Sequence, residues 1–205
     1  MKIILTILLL GSTLNLKAGL NYFEGRIIYT LQYYDSYGKE LNADSLGLDK
    51  ESHYFISDGN YKSLNEKGEM NQLYNSSTNN YYSINHQGQI QQIYASIEYP
   101  EIIHIGDFKE IKNILGYVCK KITVKTEIST KTYFYAEELK INKDLYQNHN
   151  YGNWNLFLNF SQGSLFLKNE ILFSNSGMIL IMKAQDIKKI DLSVEDFDID
   201  SYIDK

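Results

Sequence analysis

At 205 residues, 43% hydrophobic and 14% aromatic, the chain has enough apolar surface for a substantial core, which excludes intrinsic disorder. Its formal charge of −5 argues against nucleic acid as a partner and against holding anionic lipid by charge alone. A single cysteine, Cys119, excludes an internal disulfide, so stability has to come from packing.

The first eighteen residues have the layout of a secretory signal peptide: Lys2, an apolar run from Ile3 to Leu10 broken only by Thr6, and the small Ala18 before Gly19. That run is far shorter than the roughly 20 residues needed to span a bilayer, so cleavage near Ala18 is expected rather than retention as an anchor. No cysteine lies near the junction to carry a lipid. Removing residues 1–18, which hold Lys2 and Lys17 and no acid, leaves 187 residues with 18 basic and 25 acidic side chains, a balance of −7. The mature protein is expected to be one domain over residues 19–205, periplasmic or secreted, and not an integral membrane protein.

Phe23 to Tyr34 places Phe23, Gly25, Ile27, Tyr29, Leu31 and Tyr33 on one period-2 face, which predicts a long half-buried strand. Asp35 to Lys50 is polar and reads as a loop or short excursion. From Ser52 to Ile97 the β-rich runs HYFIS, YKSLN, NQLYN, YYSIN and IQQIYASI alternate with the turn clusters DGN, EKGE, SSTNN and HQGQ. That spacing predicts an antiparallel meander.

Pro100 marks a break, and Ile102 to Ile114 leads into a strand in which Tyr117, Cys119, Lys121, Thr123 and Lys125 alternate with Val118, Lys120, Ile122, Val124 and Thr126. Lys131 to Ala136 is expected to pair with it. Tyr151 to Ser161 carries Trp154, Phe157 and Leu158 at helical spacing, against which stand its asparagines and Gly152. Three further strands are expected at Ser164–Phe173, Met178–Lys183 and Ala184–Asp191, before an acidic tail. The fold class is mainly β: an antiparallel half-barrel wrapped over one or two short helices, with an apolar concavity where the wrap is incomplete.

Candidate chemistry is sparse. His53, His86, His104 and His149 form no local pair and have no second cysteine to complete a metal set, so no metal site is predicted. The serines around Ser161-Gln162-Gly163-Ser164 lack the G-x-S-x-G elbow, and no phosphate-binding glycine loop occurs. Cys119 reads as a buried strand residue, and Glu137-Glu138 as a solvated helix start. No catalytic residue and no cofactor is predicted. An enzyme would require His104 or His149 to approach Cys119 or Glu137.

The order of several motifs carries a family resemblance: Phe23-x-Gly25-x-Ile27-x-Tyr29, then Ile114-Leu115-Gly116-Tyr117-Val118-Cys119-Lys120-Lys121, then TYFYAEEL, a Gly163-x-Leu165 segment, and a late Ile187–Ile199 stretch with Phe197. Together they resemble exported proteins found mainly in Bacteroidota that are similar to the outer-membrane lipoprotein carrier (LolA-like) superfamily, with the GLPGLI family as the close alternative. The resemblance implies an unclosed antiparallel barrel whose apolar concave face is covered by short helices and takes a lipidic group. The chain departs from the pattern at Phe197-Asp198-Ile199-Asp200, which lacks a proline after the isoleucine. It departs again at Gly163-Ser164-Leu165, which lacks the Gly-Leu-Pro-Gly-Leu run, and at Thr132–Tyr135, where tyrosines stand in place of tryptophan. No family catalytic residue carries over.

The expected function is that of a non-enzymatic carrier or binding protein for an apolar small molecule, a lipid or a lipoprotein acyl chain. Trp154, Phe157, Leu158 and Phe160 are the expected cover or lining. Ile27, Tyr29, Leu31, Tyr117 and Tyr133 are further candidates, because strand parity alone does not say which face points inward. Burying an acyl chain is worth about 0.8 kcal/mol per CH₂. The alternative is an envelope module that binds a protein partner and fills its concavity with its own side chains.

Overall fold

A computed structural model describes residues 22–85, 87–97 and 101–203. The expected signal segment, His86 and Pro100 lie outside the described residues.

Among the described residues the strands are β1 (Gly25–Tyr34), β2 (Glu51–Ser57), β3 (Asn60–Leu64), β4 (Met70–Asn75), β5 (Asn80–Ile84), β6 (Ile90–Tyr94), β7 (Ile102–Ile114), β8 (Tyr117–Thr126), β9 (Ser129–Lys140), β10 (Ser164–Phe173) and β11 (Ile179–Lys189). They form one sheet in the order β6-β5-β4-β3-β2-β1-β11-β10-β9-β8-β7. Every pairing is antiparallel. Ten gaps of about 4.8 Å would hold the edge strands about 48 Å apart in a flat sheet. The eight Cα steps from Tyr94 to Ile102 reach at most about 29 Å. The sheet therefore has to curl until its edges face each other, which makes it the expected half-barrel.

Local sequence explains the seam between β1 and β11. Gly25 pairs with Lys189 and has φ of 150°, and a Cβ there would stand 2.1 Å from the Lys188 carbonyl oxygen, so only glycine lets the two backbones meet. Further along, the register slips between Ile28 and Tyr29, leaving Gln185 as an extra residue in β11. This bulge accounts for the interruption near Ala184 that reads in sequence as a strand boundary. Met178–Lys183 and Ala184–Asp191 are thus not two strands but parts of one.

One other expectation is corrected, and a segment without an assignment from sequence is defined. Glu137 and Glu138 lie within β9, with Glu137 paired to Lys120 at 2.9 Å; they are exposed strand residues, not a helix start. Ile102–Ile114 is a full strand of 13 residues, with irregular pairing to β8 between Phe108 and Lys112 that blurs its alternation.

Between β9 and β10 the chain makes an insertion, residues 141–163, instead of a tight hairpin. It begins with a 3₁₀ turn, Lys143–Tyr146, whose N-cap Asn142 accepts from the Asp144 amide. Gly152 and Asn153 then take left-handed φ of 67° and 61°, which breaks the expected helix and lets a short α-helix restart at Trp154. The first described helix, α1, is Ala43–Leu46, and this one, α2, is Trp154–Phe160. Tyr146, His149, Phe157 and Leu158 of the insertion are fully buried in the sheet's concave face.

The outer face is covered over β3 by the C-terminal segment, a 3₁₀ turn at Val194–Phe197 with a Ser193/Asp196 capping box, followed by α3 (Asp200–Ile203). Lys62, buried beneath it, donates to the Asp196 carbonyl at 2.5 Å and the Tyr202 hydroxyl at 3.0 Å. Among the described residues, no helix is long and apolar enough to cross a membrane.

Candidate ligand site beneath the inserted segment

Tyr61 pairs with Tyr74 across β3 and β4, and Tyr74 with Tyr81 across β4 and β5. Ladder partners share a face, so three tyrosine rings line up along the inner wall. The insertion lays His149 on this row: its ring stacks on Tyr74 with 4.1 Å between centroids, and Tyr61 Oη and His149 Nε2 share a hydrogen bond of 2.6 Å. Burial pulls the His149 pKa down to about 3, so the imidazole is neutral at ordinary pH. On the other side of the insertion, Phe157 packs on Tyr133 at 4.3 Å and meets Trp154 and Phe166 at 5.7 and 5.9 Å. Tyr29 closes this side by donating to the Phe166 carbonyl at 2.9 Å.

Between the tyrosine row and this second cluster lies a cavity of about 160 Å³. Its apolar wall comes from Tyr54, Tyr61, Tyr133, Tyr151, Trp154, Phe166 and Met182. Polar groups interrupt it. Gln72 accepts from Tyr81 at 2.9 Å, and Lys131 donates to the Gly152 carbonyl at 2.9 Å. Burial lowers the Lys131 pKa to about 8. Trp154 Nε1 and Asn169 Oδ1 are buried without a hydrogen-bond partner. An apolar cavity of about 150 Å³ is known to admit benzene, so this space is the size of one six-membered ring.

Larger hollows lie elsewhere, two of them above 500 Å³. One of about 520 Å³ sits at an end of the barrel, between Phe23, Gly59, Leu145 and Val194. The other, of about 1000 Å³, is a groove between β1 and the Glu40–Asp44 stretch, edged by Lys50, Glu51, Glu66 and Lys183.

The groups considered for catalysis do not converge. Cys119 is fully buried, and burial raises its thiol to about 11, far from a reactive thiolate. Strand parity puts it with Lys121 and Phe134 on the outer face, whereas His149 lies inside. His104 pairs in register with Lys125 on the edge strand, and His53 bonds Glu51 at 2.8 Å. Among the described residues, no group of three or more His, Cys, Asp or Glu could hold a metal.

Neither a protein-family model nor a curated protein sequence matches the chain. Among solved structures it is similar to PNGF-II, at 17% identity and TM-score 0.49, over 88% of this chain and 30% of that one. It thus spans under a third of that protein's length. It is also similar to a domain assigned to outer membrane lipoprotein sorting from Vibrio parahaemolyticus, at 8% identity and TM-score 0.37, over 87% of this chain and 91% of the other. A DUF1329 family protein from Desulfovibrio piger matches at 6% identity and TM-score 0.39, over 89% and 92%.

Of the nine residues singled out in the sequence, Trp154 and Tyr133 line the cavity. Phe157, Leu158, Ile27 and Tyr29 are buried in the core cluster and do not line it. Leu31 is partly buried on the same strand and borders the groove beside β1. Two are corrected. Phe160 is 47% exposed, because at 100° per residue it stands about 240° around the helix from Trp154. Tyr117 shares the outer-face parity of Cys119 and Lys121, opposite Ile122 and Tyr133. Sequence reasoning missed Tyr54, Tyr61, Gln72, Lys131 and Asn169. The parity of Lys131 with Tyr133 was a usable signal for one of them.

Proposed function

We propose that this chain is an exported, non-enzymatic binding protein, one domain over residues 19–205, that shelters an apolar group between its half-barrel and the inserted segment. The observation that carries the reading is the ring-sized hollow lined by aromatic side chains from both the sheet and the insertion. A six-membered ring or the end of an acyl chain fits that space.

The test is mass spectrometry of the mature protein, exported by a heterologous signal, run native and again after organic extraction. A stoichiometric lipid, acyl or aromatic species is the expected result. Changing Trp154 and Tyr133 to polar residues should reduce uptake of an apolar probe while the far-UV CD strand signal persists. A clean apo mass with no uptake of added lipid overturns the reading.

The second reading, an interaction module with a closed core, is favoured by one observation: Tyr146, His149, Phe157 and Leu158 of the insertion are themselves fully buried against the sheet. It is the reading left standing by a clean apo mass, and cross-linking to an envelope protein partner would support it.

A further inference from the structure

We propose that the cavity selects a single-ring ligand bearing both an oxygen acceptor, such as a carboxylate, and a hydroxyl: Trp154 Nε1 and Lys131 hold the acceptor and Asn169 Oδ1 receives the hydroxyl. This deepens the proposed function and rests on its premise that the concavity takes a ligand.

The argument starts from two atoms. Asn169 is 95% buried, lies on the inner face in register with Tyr133, lines the cavity, and leaves Oδ1 without a partner. Trp154 presents its indole N–H, also buried and without a partner, from the opposite wall on α2. A buried donor or acceptor left unpaired gives up its hydrogen bonds to water and gains none in return. A leucine and a phenylalanine at these two positions would have made a dry core without that cost. One orphan is a donor and the other an acceptor, so a guest that satisfies both must carry an acceptor and a donor of its own. Benzene or an alkyl chain satisfies neither.

Charge decides the acceptor's kind. Among the described residues lining the cavity, Lys131 is the one with a formal charge, and its ammonium is held at the wall by the Gly152 carbonyl. A cation in a low-dielectric wall favours an anionic acceptor over a neutral one. The aromatic walls supply the flat surfaces, and the space of about 160 Å³ between them matches one ring.

The test uses the mature chain and three probes of similar shape: 4-hydroxybenzoate, 4-hydroxybenzamide and p-xylene. Calorimetry should rank them in that order, with at least tenfold between the first and the last. Lys131→Met should cut 4-hydroxybenzoate binding tenfold or more and leave p-xylene unchanged. Asn169→Leu should invert the preference toward p-xylene. Trp154 is the sole tryptophan, so the wild-type protein has one indole N–H resonance, which removes any dependence on the variants folding. Saturation with 4-hydroxybenzoate should shift that resonance, and p-xylene should not.

Equal affinity for all three probes, or an indole resonance unmoved by 4-hydroxybenzoate, overturns the inference. Decanoate, titrated in parallel, separates the two ideas. Uptake of decanoate without 4-hydroxybenzoate sinks this inference and leaves the apolar carrier. Uptake of 4-hydroxybenzoate without decanoate supports it and removes the acyl-chain form of the proposed function. Uptake of neither overturns both.

Discussion

Oη of Tyr61 and Nε2 of His149 are 2.6 Å apart across the boundary between β3 and the inserted segment. Because this histidine is buried neutral, the contact makes the fold sensitive to acid. Unfolded, the imidazole titrates near 6.5; folded, burial holds it near 3. Between those values the unfolded chain binds the extra proton, so its contribution is full above about pH 6.5 and declines toward pH 3, by up to about 1.4 kcal/mol per pH unit. Urea midpoints at pH 6.5 and 5.0 should show wild type losing about 2 kcal/mol more than His149→Phe over that interval. Equal losses would remove His149 as the source.

Phe157 is fully buried against Tyr133, Trp154 and Phe166. Phe157→Ala should cost about 3–5 kcal/mol in equilibrium unfolding and enlarge the cavity. A loss below about 1 kcal/mol would mean that the insertion collapses onto the gap.

Gly25→Ala places a methyl group 2.1 Å from the Lys188 carbonyl. The seam between β1 and β11 must open to accept it, so thermal unfolding should shift down by at least about 5 °C, corresponding to more than about 2 kcal/mol. An unshifted transition would show that the seam can slide.

Cys119 should resist a thiol reagent in native buffer and react with one equivalent in urea, since burial both covers the sulfur and raises its pKa to about 11. Rapid native labelling would show that the β7–β8 hairpin opens on the reagent's timescale.

Lys62 anchors the C-terminal segment through two hydrogen bonds and through the rings of Phe55, Phe197 and Tyr202, all within 5.6 Å of its nitrogen. Lys62→Met should speed amide exchange in residues 194–203 about tenfold, a local loss of about 1.4 kcal/mol, with the central strands unchanged. Uniform acceleration would mean that the segment is no separate unit.

The meander from β2 to β6 was legible because Asp58-Gly59, Gly68, Asn79 and Gly88 punctuate alternating runs with residues that accept positive φ. Cys119 was legible as a buried strand residue for the same reason of alternation. The tyrosine row was not, since Tyr61, Tyr74 and Tyr81 become neighbours only once the register is set, and register is a property of pairs of strands. Phe160 misled because an aromatic three residues after Phe157 looks helical in spacing yet lies outside the buried arc. Asn169 and Lys131 were hidden by being polar in strands where polar residues ordinarily face water.

The placement of β1 against β11 divides the folding of this protein into unequal tasks. Strands β1 to β6 and β7 to β11 are each joined to their sequence neighbours, so two ribbons can grow from local hairpins. Among the described residues, the one strand pairing that unites them joins residues 25–34 to residues 179–189, and it spans most of the chain. Closing so distant a contact is slow, and until it happens each ribbon keeps a bare edge. Assembly of the barrel therefore waits on one late stitch, and the glycine at that stitch governs how readily the two ribbons become a single body.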